Sequence, residues 1–543
     1  MKKLLCILLA LVMIMSLLSG CGGNSNSNDT SNNSTNNTAN NTGDTGSDDA
    51  SGPKEGGTLK IGISSEHIHS MDLFSLTGAS TDYYYSWPVY ESLFKPNSEG
   101  TVDPWLLESY EMDKDAMTYT FHIREGITFS DGTPFNAEAL KWNLDHYMEV
   151  GAKVESLMLY AIESVEVVDE YTVQLNMNTW VSIIPYAFSR EPGYMTSPTY
   201  YEENGPEYVA EHPCGTGPFV MTEWKQDVSK RFEARDDYWG GDVKLDAVEY
   251  IIYTDSLVAT AALQSGEIDV YLAPDAETAD AMAANGAEIK TCAVKSSTYM
   301  LYFNSLNLSG NDPTGDVRVR KAISYAIDAE ALVQAVWGDY AQVRNQFGVG
   351  EFFYSDKVQG YEYNPEKAKE LLAEAGYPDG FTIPLKASGD SSAMKNAATI
   401  IAQYLADVGI TAEIQMLSGA DFSNAEAGWG DGMLLNGSSV YVSVPMQMLI
   451  FRKDVDGHVI GLTNLDRTDD VDAAIAASVS AASDEEAAEY IGEANRLLTD
   501  EHCIFYNFAE TAALFAVNDY VKDSGIGEAF YSVADLANAW LDK

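Results

Sequence analysis

Two stretches in the second half of the chain limit its fold more than any other feature. In each, a helical pattern is stopped by a glycine. Asn364-Pro365-Glu366 reads as a helix start, with a capping side chain, a proline at the first helical position and an acid in the first turn. Ala368, Leu371, Leu372 and Ala375 then recur on one face, and Gly376 ends the run. Ile401, Leu405 and Val408 mark another helix, stopped by Gly409, and residues 411–416 alternate as a strand directly after it. Helices alternating with strands build α/β lobes around sheets. Val319, Ala322, Ile323, Ala326 and Ile327 give a further helical stripe, with Leu332, Val333, Val336 and Trp337 forming another after Asp328.

The first half carries more strands. Residues 58–63 alternate just after Gly56-Gly57, and residues 119–124 place Phe121 and Ile123 on one face. Ser130-Asp131-Gly132-Thr133-Pro134 is a turn by composition. Asn136 opens a helix with Leu140, Leu144, Tyr147 and Met148 on one side, and residues 165–175 read as paired strands around Asp169-Glu170.

The N-terminus is different in kind. Lys2 and Lys3 precede an apolar run from 4 to 17, the length of a signal-peptide core and too short to span a bilayer comfortably. Leu18-Ser19-Gly20-Cys21 resembles the bacterial lipobox, in which the cysteine becomes the lipid-bearing N-terminus. Residues 21–52 are then Asn, Ser, Thr, Gly and Asp, with almost nothing to bury, and read as a disordered tether. The remainder has material for large cores: 45% of the 543 residues are apolar, which predicts two to four structural units. With 82 acids against 32 bases the formal charge is −50. That balance excludes nucleic-acid binding, which needs basic stripes, and docking on an anionic bilayer through a basic face.

Catalytic signatures are poor. There is no H-E-x-x-H, no G-x-S-x-G and no P-loop. Ser392-Ala393-Met394-Lys395 satisfies S-x-x-K without a companion K-T-G. In Gly215-Thr216-Gly217-Pro218 the proline removes an amide that a phosphate cradle would use, so the segment reads as a structural turn. Asp454-Val455-Asp456-Gly457 lacks the full acid series of a calcium loop. His67-Ile68-His69 puts two imidazoles on one face of an extended segment, where nickel or copper could bind, though isolated surface histidines give the same pattern. Cys6 belongs to the leader and Cys21 to the lipid site, leaving Cys214, Cys292 and Cys503; an odd count gives no complete disulfide framework and no C-x-x-C marks a zinc site.

Several blocks together resemble the family 5 extracytoplasmic solute-binding proteins of ABC importers, the dipeptide- and oligopeptide-binding type. They are residues 119–126 with 129–135, Gly215 to Phe219 with Trp224, 237–241, 263–269, 317–328 and 368–380. The resemblance implies an α/β, two-lobed periplasmic-binding-protein-like fold of type II, with an extra subdomain in the first lobe and a hinge between lobes. Carried onto this chain, residues 1–20 are a lipoprotein signal peptide and 21–52 a tether. Residues 53–290 are the first lobe with its insertion at about 95–210, residues 291–504 the second lobe, and 505–543 a return to the first. Cys292 and Cys503 would then lie near the two crossing strands, where a bridge would staple the hinge; three buried thiols is the other reading.

The implied function is capture without chemistry. A ligand, most simply a peptide or peptide-like compound, is enclosed between closing lobes and delivered to the permease subunits of an importer. An oligosaccharide, an opine or a nickel chelate is the alternative cargo, and a surface sensor or a lipid-anchored hydrolase the alternative class. The protein is expected outside the cytoplasm as a monomer, with no cofactor and no resident metal, and with the Cys21 lipid as its one membrane contact. In peptide binders of the family an Asp in a stretch resembling G-W-x-x-D-Y-P-D-P pairs with the ligand's α-amine. Here residues 437–445 correspond, with Tyr441 in the place of that Asp and Ser438 in the place of the aromatic. A phenol does not supply the lost charge at neutral pH. The candidate cleft residues are Ser64, Glu66, His69, Asn304, Trp429, Ser438, Tyr441 and Tyr506.

Overall fold

Residues 52–64, 70–75, 84–150, 159, 161–292, 294–295, 297–307, 309–348, 353–439, 443–453, 463–528 and 534–543 are described by the computed structural model. The leader, Cys6, Cys21, the tether as far as residue 51, Glu66, His67, His69, Tyr441 and residues 454–457 lie outside them. No helix among the described residues is long and apolar enough to cross a membrane.

Two sheets organise the chain. The first has seven strands in the order Glu288–Thr291, Leu514–Val517, Val270–Leu272, Thr58–Ile63, Ala247–Ile252, Ser229–Ala234 and Phe219–Lys225. Its centre is parallel, with Ile61 opposite Tyr250 on one side and Val270 on the other. Parallel strands need a crossover, and the helix Ser256–Ser265 supplies it, started by Asp255, whose carboxylate accepts the Leu257 and Val258 amides.

The second sheet has six strands in the order Ala341–Gln342, Phe505–Thr511, Ser297–Phe303, Met433–Ser439, Phe381–Ser388 and Ile410–Leu417. Alternation along Ser297–Phe303 divides it into two faces. Leu301 and Phe303 pack with Leu435 against the helices Val317–Ala326, Ala329–Trp337, Pro365–Glu374 and Ser392–Asp407. Met300 and Tyr302 face the other way, in one cluster with Leu434 and Phe505. Asn364 caps its helix as read from sequence, accepting the Lys367 amide at 3.0 Å, and Asp328 caps Ala329–Trp337 by accepting the Ala331 amide at 3.0 Å. Gly376 and Gly409 stop theirs in the left-handed region, with φ of +95° and +91°.

An inserted four-stranded antiparallel sheet runs Leu107–Asp113, Thr118–Ile123, Thr172–Met177 and Ile162–Asp169. Tyr119, Phe121 and Ile123 are buried on one face, and the helix Ala137–Val150 adds Leu140, Leu144 and Tyr147. Asn136 caps that helix at the Ala139 amide, 3.1 Å away.

The chain crosses between the two large sheets twice, from Thr291 to Ser297 and from Thr511 to Leu514. This corrects the boundary expected at residue 505. Phe505–Thr511 is an inner strand of the second sheet, in register with Ser297–Phe303 from Thr511 opposite Ser297 to Phe505 opposite Tyr302. The return to the first sheet is therefore the step over Ala512 and Ala513.

The same geometry rules out the Cys292–Cys503 bridge: both thiols are free and buried, as is that of Cys214. Cys292 sits at the crossing end of the second sheet and Cys503 beyond the far end of Phe505–Thr511, a strand's length of roughly 20 Å away, whereas a disulfide needs Cα atoms within about 7 Å. Burial pushes the thiols up, Cys214 to about 11, Cys292 to about 12 and Cys503 above its ordinary value. Protein beginning after Cys21 is expected to resist alkylation at neutral pH when folded and to titrate all three thiols in denaturant without reductant. Fewer than three would contradict the free-thiol assignment.

Candidate functional site

Parallel strands carry their ligand-facing loops at their C-terminal ends, and helices begin there. In the first sheet Val270–Leu272 ends at Ala273-Pro274, and Asp275 caps the helix Ala276–Ala284 by accepting the Thr278 amide at 2.9 Å. In the second sheet Phe381–Ser388 leads through Gly389 and Asp390 to Ser391, which caps the helix Ser392–Asp407 at the Met394 amide, 3.3 Å away. These two strand-to-helix turns face each other. The Ser392 hydroxyl donates to Asp275 Oδ2 at 3.3 Å, and Tyr340 donates to Asp280 Oδ1 at 2.8 Å.

Between them lies a cavity of about 620 Å³, lined from both lobes and from the second crossing, Thr511 to Leu514. That volume falls within the range of small-ligand sites. One wall is aromatic: the Tyr299 and Trp337 rings are 4.7 Å apart, with Tyr84 and Tyr340 nearby. Charged groups come from Asp275, Glu277 and Asp390 with Lys395. Asp390 accepts the Gly419 amide at 2.9 Å, and that bond holds its carboxyl below the usual range, so it is ionised at neutral pH. Burial, followed by the Asp280 contact, pushes the Tyr340 phenol up to about 12. It remains a hydrogen-bond donor. The first turn of Ser392–Asp407, with its positive end of the helix dipole, also lines the space. The site therefore offers anionic, cationic and aromatic contacts together.

The reverse face of the same strands is polar near the crossing. Thr298 stands in register between Ser438 and Glu510. Glu510 is fully buried and accepts Arg344 Nε at 2.8 Å together with the Gln342 side-chain amide. The Gln447 amide donates to Ser438 Oγ at 3.3 Å.

Of the cleft residues expected from sequence, Ser64 is exposed just past the C-terminal end of Thr58–Ile63, and Ser438 is near the C-terminal end of Met433–Ser439. Neither lines the cavity. Three others sit in the interior instead. Asn304, wholly buried past the far end of Ser297–Phe303, donates to Asp312 at 3.0 Å and to the Gly430 carbonyl at 2.9 Å, and accepts from Asn464 at 2.9 Å. Trp429 is buried and donates to the Gly432 carbonyl at 3.2 Å. Tyr506 packs among the helices, its ring 6.0 Å from that of Phe508. These residues pin loops and core, so their polarity is used internally.

Ser392 and Lys395 of the S-x-x-K pattern both line the cavity, but the serine hydroxyl is directed to Asp275. Among the described residues no three His, Cys, Asp or Glu side chains gather to hold a metal ion. Sequence reading missed Asp275, Asp390 and the Tyr299–Trp337 wall. The available signal was a pair of capping residues, Asp275 and Ser391, each three residues past the end of a strand.

Comparison with known proteins agrees with this architecture. The model of the bacterial extracellular solute-binding proteins, family 5 Middle, matches residues 101–455. The glutathione-binding protein GsiB of Salmonella typhi is 33% identical over 328 residues, 60% of this chain and 63% of that protein. The aligned region thus spans under two thirds of that relative. The periplasmic binding protein DppA of Helicobacter pylori in complex with the peptide STSA superposes with a TM-score of 0.76 at 21% identity, covering 90% of this chain and 99% of that one. NikA of Brucella suis in complex with Fe(III)-EDTA gives 0.76 at 22% identity, covering 90% and 100%.

Proposed function

The chain belongs to the bacterial extracellular solute-binding proteins of family 5, and from that premise we propose that it captures a small ligand between its lobes and delivers it to an ABC importer. The observation that carries this reading is the 620 Å³ cavity, to which both lobes contribute the first turn of a helix. Enclosure there excludes water and strengthens each polar contact made to the ligand.

The ligand is a peptide or peptide-like zwitterion. Its ammonium group pairs with ionised Asp390 and with Asp275 or Glu277, in place of the acid missing at Tyr441. Its carboxylate meets Lys395 and the amides opening Ser392–Asp407. Apolar side chains lie on Tyr299 and Trp337, at little entropic cost to the protein. The protein works outside the cytoplasm, held by lipid on Cys21 through the tether, and hands its cargo on unaltered.

A thermal-unfolding screen tests the reading with glutathione, di- to tetrapeptides, opines, oligosaccharides and nickel chelates. A ligand at 100 times its Kd is expected to stabilise the protein by about 2.7 kcal/mol and to be recovered unchanged. If an opine, a glycan or a chelate raises the melting temperature and no peptide does, the peptide assignment fails. Recovery of a converted product would replace binding by catalysis.

A further inference from the structure

Among the described residues, the second lobe meets the inserted four-stranded region through a cluster of hydrogen bonds. The turn between the helices Asp469–Val479 and Asp484–Arg496 carries the acceptors, and the insertion carries the donors. The Ser182 amide and hydroxyl both donate to the Val479 carbonyl, at 2.8 and 3.2 Å. Lys114 Nζ donates to the Ser480 carbonyl at 2.9 Å, and the Tyr186 hydroxyl to Asp484 Oδ2 at 2.8 Å. A helix ends with carbonyls that lack intrahelical partners and with a partial negative charge, so a lysine and a serine amide suit that end. Around these bonds Val181, Ile183, Val479 and Ala481 are buried in a single apolar cluster running from the insertion into the second lobe.

The seam at the cavity is built differently. Tyr340–Asp280 and Ser392–Asp275 are hydrogen bonds between largely accessible groups around open space. Covalent continuity between the lobes is limited to two short crossings. Persistence of the closed arrangement therefore falls to whichever non-covalent seam combines hydrogen bonds with apolar burial.

We propose that the seam of Lys114, Ser182 and Tyr186 with Val479, Ser480 and Asp484 is a latch, through which the inserted subdomain holds the second lobe closed whether or not ligand is bound. It goes beyond the ligand-binding reading and does not depend on it. Release of the latch exposes a modest apolar surface and rehydrates the donors and acceptors, so both states are reachable and the seam sets their ratio.

The test places spin labels on Glu111→Cys and Ala482→Cys of ligand-free protein beginning after Cys21, in which Cys214, Cys292 and Cys503 are buried, and measures the distance distribution by pulsed electron resonance. The parent should show one short distance. K114A/Y186F should shift the closed-to-open ratio about 5- to 30-fold. Ala481→Arg, which wedges the seam from the second lobe, should make a longer distance the main population while circular dichroism stays unchanged. If both variants keep the parental distance, the latch is refuted. If Ala481→Arg abolishes cooperative unfolding, the seam is permanent core and the latch is equally refuted. Neither result bears on whether a ligand binds the cavity.

Discussion

Replacing Arg344 by Met is expected to lower the free energy of unfolding by about 3–5 kcal/mol, because it leaves the Glu510 carboxylate buried beside one neutral donor. Glu510 has no exposure and Arg344 is 6% exposed, so solvent screening cannot soften the loss. The guanidinium also lies 4.6 Å from the Tyr354 ring centre, a contact that a thioether replaces poorly. Total stability of a domain is about 5–15 kcal/mol, so this single change removes a large fraction of it. Urea denaturation reads the effect directly. The double replacement Arg344→Met with Glu510→Met removes both charges and should recover most of the loss, since a buried pair gains little over well-packed apolar residues. A single variant that costs under about 1 kcal/mol would mean that the carboxylate is protonated or hydrated in the folded state. Glu510 is two residues before Ala512, so the pair also fixes the strand end that feeds the second crossing.

What the sequence made legible follows from how local each signal is. Helix starts at Asn364 and Asn136, and stops at Gly376 and Gly409, depend on a few neighbouring residues and are legible in the sequence. Strand alternation at Thr118–Ile123 gave the buried face for the same reason. Phe505–Thr511 could not be assigned this way, because all seven of its residues are buried. A strand covered on both faces has no alternation, and nothing local tells which sheet accepts it. Asn304 and Trp429 were both expected in the cleft. In the fold both face inward, where Asp312, Gly430 and Gly432 use up their hydrogen-bonding capacity. The cavity itself joins Tyr84, Asp275, Tyr299, Trp337, Asp390 and Leu514, which are far apart in the chain. Only the parallel pairing of strands and the two crossings bring them together, and those are long-range facts.

Ser392→Trp is expected to abolish ligand-induced stabilisation, an affinity loss of more than about 100-fold, which removes the roughly 2.7 kcal/mol available at 100 times Kd. Ser392 occupies the first turn of its helix, is exposed to the cavity, and reaches across to Asp275 at 3.3 Å. An indole there would take up the space between the two helix starts and displace both ligand and solvent. Its cost to the ligand-free protein should be small, since the Ser392–Asp275 bond it removes is exposed and surface substitutions usually stay within about 0.5 kcal/mol. Asp390→Asn supplies the chemical counterpart. It keeps the shape of the site and removes the ionised carboxylate, so an amine-bearing ligand should weaken more than its acetylated analogue. Equal weakening of the two would separate the charge from the cavity and move amine recognition elsewhere in the cleft. An unchanged ligand response in Ser392→Trp, with the protein folded, would place the ligand on the opposite strand face, beside Ser438 and Thr298, where the polar row at Glu510 approaches the crossing.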